Sequence, residues 1–230
     1  MTETEWNASA DPVAMLDWRM GRDQEGHAGQ SPASPISDRQ LRLFAVACCR
    51  SVFSLLTDKR SRKAVEVAER FADGEATKEE TFKLASSCMT LARCLMPSWE
   101  GDAEARAIIE TAEMHNQDAL PGYANLLREI IGDPFRQVAL YVSGNGSGEV
   151  STNSSGDGPW WPLTPQALAL CEVAYRERGS DGSLDPLTLK LVADALEEAG
   201  ADDSVILGHL RNAGPHVRGC WAVDLLLGKE

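Results

Sequence analysis

The amino-acid sequence predicts an all-α protein, and three observations support this. Alanine and leucine are abundant, whereas aromatic residues make up only 6% of the 230 residues, a composition that favours helix. Apolar residues recur at helical spacing, and no convincing run alternates with period two. Several segments begin with a capping residue or a first-turn proline. The predicted architecture is a helical N-terminal domain around a buried central helix, a flexible linker and a small C-terminal four-helix bundle.

The central helix is predicted over residues 37–56, SDRQLRLFAVACCRSVFSLL. Ser37 is a suitable N-cap, and the Asp38 carboxylate in the first turn interacts favourably with the helix dipole. From Leu41 onward the segment is apolar on nearly every side, which is typical of a buried helix. Its interrupting arginines are expected to reach water, and they exclude a membrane span. We therefore expect the other segments to pack around this helix.

The rest of the predicted N-terminal domain, residues 1–142, contains shorter helices and one loop. Residues 21–36 are predicted as a loop because they are rich in glycine and proline and lack periodicity. Residues 137–142 have β-like composition, but one isolated strand cannot form a sheet, so they are predicted as extended or as a short edge. The helical segments, with their caps, are predicted at 2–6, 12–20, 57–74, 77–97, 99–116 and 122–132.

A polar stretch separates the two predicted domains. Residues 143–159, SGNGSGEVSTNSSGDGP, contain almost no hydrophobic side chains and predict a flexible linker or an insertion. Beyond it, residues 160–230 contain four apolar-periodic segments with capping signals. These helices are predicted after Thr164, after Asp185, after Asp202 and after Pro215. They are expected to form the compact C-terminal bundle.

Charge and cysteine content limit the class of protein. The formal net charge is −13, which argues against a general nucleic-acid or anionic-membrane binder. No signal peptide is visible, and six cysteines in 230 residues are too few for a disulfide scaffold. Cys48, Cys49, Cys88 and Cys94 lie among apolar neighbours in predicted helices. The sequence therefore predicts a cytoplasmic protein with reduced, buried thiols.

One region is basic although the chain is acidic. Between Asp38 and Lys63 seven basic and two acidic residues give a local charge of +5, so the remainder carries −18. Such segregation is typical of a surface that binds an acidic partner, but positive side chains after the central helix also complement its negative end. Both interpretations stay open. The candidate partner-binding residues of this basic cluster are Arg39, Arg42, Lys59, Arg60, Arg62 and Lys63.

Two adjacent tryptophans, Trp160 and Trp161, follow the predicted linker. Large indole surfaces are costly to leave in water, so internal packing is one interpretation. Tryptophan is also frequent at binding hot spots, so the second interpretation is an anchor for a partner. Trp221, in the most apolar C-terminal segment, is expected to pack internally.

A candidate metal site lies near the C-terminus. His216, Cys220 and Asp224 have i, i+4, i+8 spacing and would share one face of a helix beginning near Pro215. His209 is expected to approach from the preceding helix, and this donor set suits zinc. The alternative is a packed Cys220 with His216 near the helix start. Cys48 and Cys49 lie in mid-helix without a nearby histidine, so no cysteine nucleophile is predicted.

Three parts of the sequence carry a family resemblance. They are DRQLRLFAVACCR with LLTDKRSRKAVEVAERFADG, then LLREIIGDPFR, and finally LKLVADALEEAGADD with GPHVRGCWAVDLLLGKE. Together they resemble a family of uncharacterised proteins of planctomycete-type bacteria. The segment LVADALEEAGADD is also similar to the repeat-companion domain of those bacteria. The resemblance implies a helical cytoplasmic protein and carries no activity, cofactor or catalytic residue.

The sequence thus predicts a non-enzymatic helical module that binds another protein, without a membrane or a cofactor. Helices are strongly specified, whereas no catalytic constellation is visible. The alternative is a small metal-dependent or hydrolytic enzyme with a site near His216 and Cys220.

Overall fold

The computed structural model describes residues 1–21, 36–85, 120–135, 139–142, 148–151 and 160–229. These residues form ten α-helices, one 3-10 turn and a small three-stranded sheet. Helices dominate, so the predicted all-α class is confirmed. None of the described helices combines the length and the apolar character needed to cross a membrane. The chain divides into two compact units, Met1–Ile131 and Gly132–Glu230.

The N-terminal unit is built from helices around α3. Its helices are α1 (Glu3–Ala8), α2 (Pro12–Arg19), α3 (Asp38–Ser51), α4 (Lys59–Ala72), α5 (Lys78–Ala85) and α6 (Leu120–Ile131), with a 3-10 turn at Phe53–Leu55. Helix α3 packs against α4 and α6, α4 against α5, and α2 against α6. The buried central helix is therefore confirmed, although it ends at Ser51 and not at residue 56. The predicted helix at 99–116 lies outside the described residues.

The start of α3 follows from a capping box. The Ser37 hydroxyl accepts a hydrogen bond from the Gln40 N–H (3.2 Å), and the Gln40 side chain accepts one from the Ser37 N–H (3.0 Å). Every residue from 41 to 50 is then buried. Continuous burial on all sides explains why this segment is apolar almost without interruption.

The prediction that the arginines of α3 reach water is wrong for Arg42 and Arg50. The Arg50 guanidinium lies in the interior, 2.7 Å from a Glu69 carboxylate oxygen and 4.7 Å from the centre of the Phe53 ring. Arg42 is also buried and lies over the Phe71 ring at 4.7 Å. Burial is tolerated because an opposite charge or an aromatic face compensates each cation.

The C-terminal unit combines a small sheet with four helices. Its elements are β1 (Ala139–Val142), β2 (Gly148–Ser151), β3 (Trp160–Pro162), α7 (Pro165–Arg176), α8 (Pro186–Glu198), α9 (Ser204–Arg211) and α10 (Trp221–Leu227). The strands pair antiparallel in the order β1-β2-β3. Helix α7 packs against α8 and α10, and α9 packs against α8 and α10. The four helices enclose one core that includes Cys171, Leu189, Leu210 and Val223.

The sheet confirms one prediction and corrects another. Residues 139–142 form a short edge strand, one of the two predicted forms, with β2 paired to it and β3 paired to β2. Strand β2 lies inside residues 143–159, so the flexible linker is wrong at 148–151; residues 143–147 and 152–159 lie outside the described residues. Backbone hydrogen bonds hold such a strand without the apolar side chains that signal one in sequence. The predicted boundary also lies later than the division after Ile131.

Two helix starts in the C-terminal unit differ from their predicted positions. Asp203, and not Asp202, caps α9, since its carboxylate accepts hydrogen bonds from the N–H groups of Val205 (2.8 Å) and Ile206 (3.0 Å). Helix α10 begins at Trp221, six residues after Pro215. Gly214 (φ +104°) and Gly219 (φ +93°) adopt left-handed backbone angles, so the residues between them form a turn.

Candidate functional site

The turn between α9 and α10 positions His216 and Cys220. The Leu184 N–H donates to the His216 carbonyl oxygen at 2.8 Å, and Ser183 forms an isolated antiparallel bridge with Val217. These contacts attach the turn to the segment before α8. The Cys220 N–H donates to the Val217 carbonyl (2.9 Å), and this bend places Cys220 at the start of α10.

His209 of α9 meets these two residues, and we call His209, His216 and Cys220 the histidine–cysteine cluster. The His209 Nε2 atom lies 3.2 Å from the Cys220 sulfur. The two imidazole rings meet edge to face with centroids 5.0 Å apart. One ligand atom from each residue lies within 4.8 Å of the others. Cys220 is fully buried and His216 is 4% exposed.

Three of the four predicted metal ligands therefore lie together, but not for the predicted reason. His216 and Cys220 precede α10, so they do not share a helical face. Asp224 lies in the first turn of α10, where its N–H donates to the Cys220 carbonyl at 2.8 Å. Its carboxylate does not belong to the group of converging ligand atoms.

Trp221 covers one side of the cluster. Its ring centroid lies 4.9 Å from that of His209. On another side it contacts Gly132, where an added Cβ would approach the indole to 3.0 Å. Gly132 also has φ +76°, so no other residue fits well there. Trp221 thus packs internally, whereas the side chains of Trp160 and Trp161 lie outside what the structure describes and both interpretations of them stay predictions.

The basic cluster is divided between the interior and the surface. Arg39 forms two hydrogen bonds with Asp73, at 3.0 and 2.7 Å, and Arg42 is buried against Phe71. The exposed residues are Lys59, Arg60, Arg62 and Lys63. Arg60 pairs with Asp58 (2.8 Å) and Lys63 with Glu66 (3.2 Å). Several of the basic side chains therefore pair with nearby carboxylates of the same chain. This pairing argues against the basic cluster as a binding site for an acidic partner.

Helix α8 presents apolar side chains that the sequence analysis did not single out. Among the described residues, the exposed large hydrophobic side chains are Leu187 (67%), Leu191 (50%) and Val173 (38%). Leu187 and Leu191 lie one turn apart on α8, and we call them the leucine face. Leu189 between them is fully buried. The sequence signal was the spacing itself, because leucines at i, i+2 and i+4 cannot all occupy one helical stripe.

Acidic residues outnumber basic ones among the exposed residues of α7, α8 and the segment between them. From 172 to 198, seven acidic residues but only two basic ones, Arg176 and Lys190, are exposed. The Arg211 side chain donates to Glu197 (2.6 Å) and Asp194 (2.8 Å), and these hydrogen bonds raise the pKa of Arg211 above its ordinary value. Hydrogen bonds from Thr188 and Leu187 hold the pKa of the exposed N-cap Asp185 below its ordinary value. The exposed residues of α7, α8 and the segment between them are thus mainly acidic, with Leu187 and Leu191 as exposed apolar side chains.

The remaining described cysteines are buried thiols. Cys48, Cys49 and Cys171 form no disulfide. Burial raises the pKa of Cys49 to about 12, despite the opposing Arg50 charge, and raises the pKa of Cys171 to about 12. Thiols with such pKa values stay protonated and are poor nucleophiles. Cys88 and Cys94 lie outside the described residues.

In the described residues, the fold and the site define a mainly helical protein with exposed leucines on α8 and a histidine–cysteine cluster whose Cys220 and His216 are buried. No protein-family model, curated protein or solved structure matches this chain. The resemblance to the planctomycete-type family therefore stays a prediction.

Proposed function

We propose that the protein is a non-enzymatic helical interaction module and that the leucine face of α8 binds its partner. The observation that carries this proposal is the exposure of Leu187 (67%) and Leu191 (50%) on a helix whose opposite side is buried. Burying a leucine side chain gains about 1.5–3 kcal/mol relative to leaving it in water. A partner that covers both leucines would gain this energy.

The negative charge of the exposed residues near the leucine face indicates which kind of partner would bind there. Arg176 pairs with Glu172, and Arg211 pairs with Asp194 and Glu197. Acidic residues still outnumber basic ones among the exposed residues between 172 and 198, and this excess favours a partner segment with basic side chains. Leu187 and Leu191 are one helical turn apart, a spacing that suits apolar anchors on a second helix. We infer an amphipathic partner helix with a basic rim.

A small metal-dependent or hydrolytic enzyme is the second candidate, and the histidine–cysteine cluster favours it. A catalytic site needs an open position for substrate or water. Cys220 is fully buried and His216 nearly so, which argues for a structural role of the cluster. The interaction module is therefore the better-supported proposal.

Site-specific photocrosslinking in the native cells tests the interaction. A photoreactive phenylalanine replaces Leu187 or Leu191, and a control carries it at the exposed Asp202 before α9. We expect one protein to crosslink from positions 187 and 191 and not from 202. With that protein purified, Leu187→Ser/Leu191→Ser should weaken binding by about tenfold or more, which corresponds to about 1.4 kcal/mol.

The opposite results would contradict the proposal. Equal crosslinking from all three positions would show that contact is nonspecific. Unchanged affinity of the double variant would show that the bound surface lies elsewhere.

A further inference from the structure

We propose that the histidine–cysteine cluster is a structural site for a zinc-class divalent ion. This inference is independent of the leucine face. Two imidazoles and one thiolate are a donor set typical of zinc sites. The three residues come from two elements, with His209 on α9 and the other two in the turn before α10.

The distances are close to those that a tetrahedral ion requires. With metal–nitrogen and metal–sulfur bonds of about 2.0–2.3 Å, neighbouring ligand atoms lie roughly 3.5 Å apart. The His209 Nε2 and Cys220 Sγ atoms are already 3.2 Å apart, and all three ligand atoms lie within 4.8 Å of one another. The separations of the ligand atoms are therefore already close to those that one shared ion requires.

A hydrogen bond outside the cluster supports His216 as a ligand. Its Nε2 atom lies 3.1 Å from the Asn212 carbonyl oxygen. When Nε2–H donates to that carbonyl, Nδ1 carries the lone pair that a metal needs. Metal-binding histidines commonly donate their second ring N–H to a backbone carbonyl, which fixes both the tautomer and the ring orientation.

The burial of Cys220 and the position of the cluster between α9 and α10 indicate that a bound ion would stabilise the fold. Trp221 packs on His209, and Cys220 is fully buried, so a bound ion would exchange slowly with solvent. The ion would connect α9 to the turn that leads into α10. It would replace the proton between His209 Nε2 and Cys220 Sγ, because a coordinating cysteine binds as thiolate. Metal binding would thus stabilise the C-terminal unit.

Titration of the full-length protein, first stripped with a chelator, with Zn²⁺ alone tests the site. We expect binding of one ion per chain and a rise in the melting temperature. Co²⁺ in place of Zn²⁺ should give the visible absorption of a tetrahedral ion and a thiolate charge-transfer band. Cys220→Ala should abolish the charge-transfer band and weaken Zn²⁺ binding by about 100-fold or more, a larger loss than changes outside the ligand shell usually cause.

Cys171→Ala is the matched control, because Cys171 is equally buried in the same core but lies outside the cluster. It should bind Zn²⁺ like the unchanged protein. His209→Gln provides a second test at a partly exposed position, where misfolding is less of a concern. Absence of stoichiometric binding by the unchanged protein would overturn the proposal. Equally tight binding by Cys220→Ala and His209→Gln would overturn it too, since the ion would then be held elsewhere.

Discussion

Replacing Glu69 by alanine is expected to lower the free energy of unfolding by about 3–5 kcal/mol. Glu69 is almost completely buried, and its carboxylate lies 2.7 Å from the buried Arg50 guanidinium. Removing the carboxylate leaves a cation in the interior without this opposite charge, and desolvation of that cation is the main cost. Urea denaturation followed by circular dichroism measures the loss.

Two controls separate charge burial from simple loss of a contact. Glu66→Ala removes the exposed pair with Lys63 on the same helix, and it should change stability by no more than about 1 kcal/mol. The double change Arg50→Met/Glu69→Leu should recover much of the lost stability, since it removes both buried charges. If Glu66→Ala and Glu69→Ala lowered the free energy of unfolding equally, the buried ion pair would not stabilise the fold as we describe.

Replacing Phe44 by alanine is expected to lower the free energy of unfolding by about 3–5 kcal/mol. Phe44 lies at the centre of α3 and is fully buried, so its removal leaves a cavity as well as a lost apolar contact. Thermal melting and denaturant unfolding both measure this effect.

Phe53 gives the comparison within the same segment. Its ring is only partly buried and lies beneath the guanidinium groups of Arg50 (4.7 Å) and Arg62 (5.5 Å). Phe53→Ala should therefore cost less than Phe44→Ala. A larger loss at Phe53 would contradict the placement of the core on α3.

The central helix could be predicted because its signals are local. The Ser37 capping box and the apolar run after Leu41 lie within one segment, and both need only helical spacing to be recognised. The burial of Arg42 and Arg50 could not be predicted in the same way. Their compensating groups, Phe71 and Glu69, lie on α4, so only tertiary packing shows that these arginines are interior.

The sheet was missed for a related reason. Strand β2 contains Val150 between polar and small residues, so its pattern is that of a loop. Its structure depends on antiparallel pairing with β1 and β3, and strand pairing between separated segments leaves little trace in local composition.

The candidate site was predicted in its residues and missed in its geometry. Helical spacing predicted that His216, Cys220 and Asp224 share one face of a helix. Residues 214–219 form a turn instead, so α10 begins only at Trp221, after His216 and Cys220. His209 and Cys220 meet through packing of α9 against α10. The leucine face was not predicted because apolar spacing indicates a bundle helix after Asp185, and only the packing shows that Leu187 and Leu191 lie outside the core.

The central claim is that α8 has two separable sides, an inner one that stabilises the fold and an outer one available to a partner. Denaturant unfolding of Leu187→Ser, Leu191→Ser and Leu189→Ser tests it most directly, because the same substitution is compared at three positions of one helix. We predict that Leu189→Ser, at a fully buried position, lowers the free energy of unfolding by about 2–5 kcal/mol or more. The two outer variants should remain within about 0.5 kcal/mol of the unchanged protein. Losses at Leu187 and Leu191 as large as that at Leu189 would show that these leucines stabilise the fold, and would contradict the proposed binding surface.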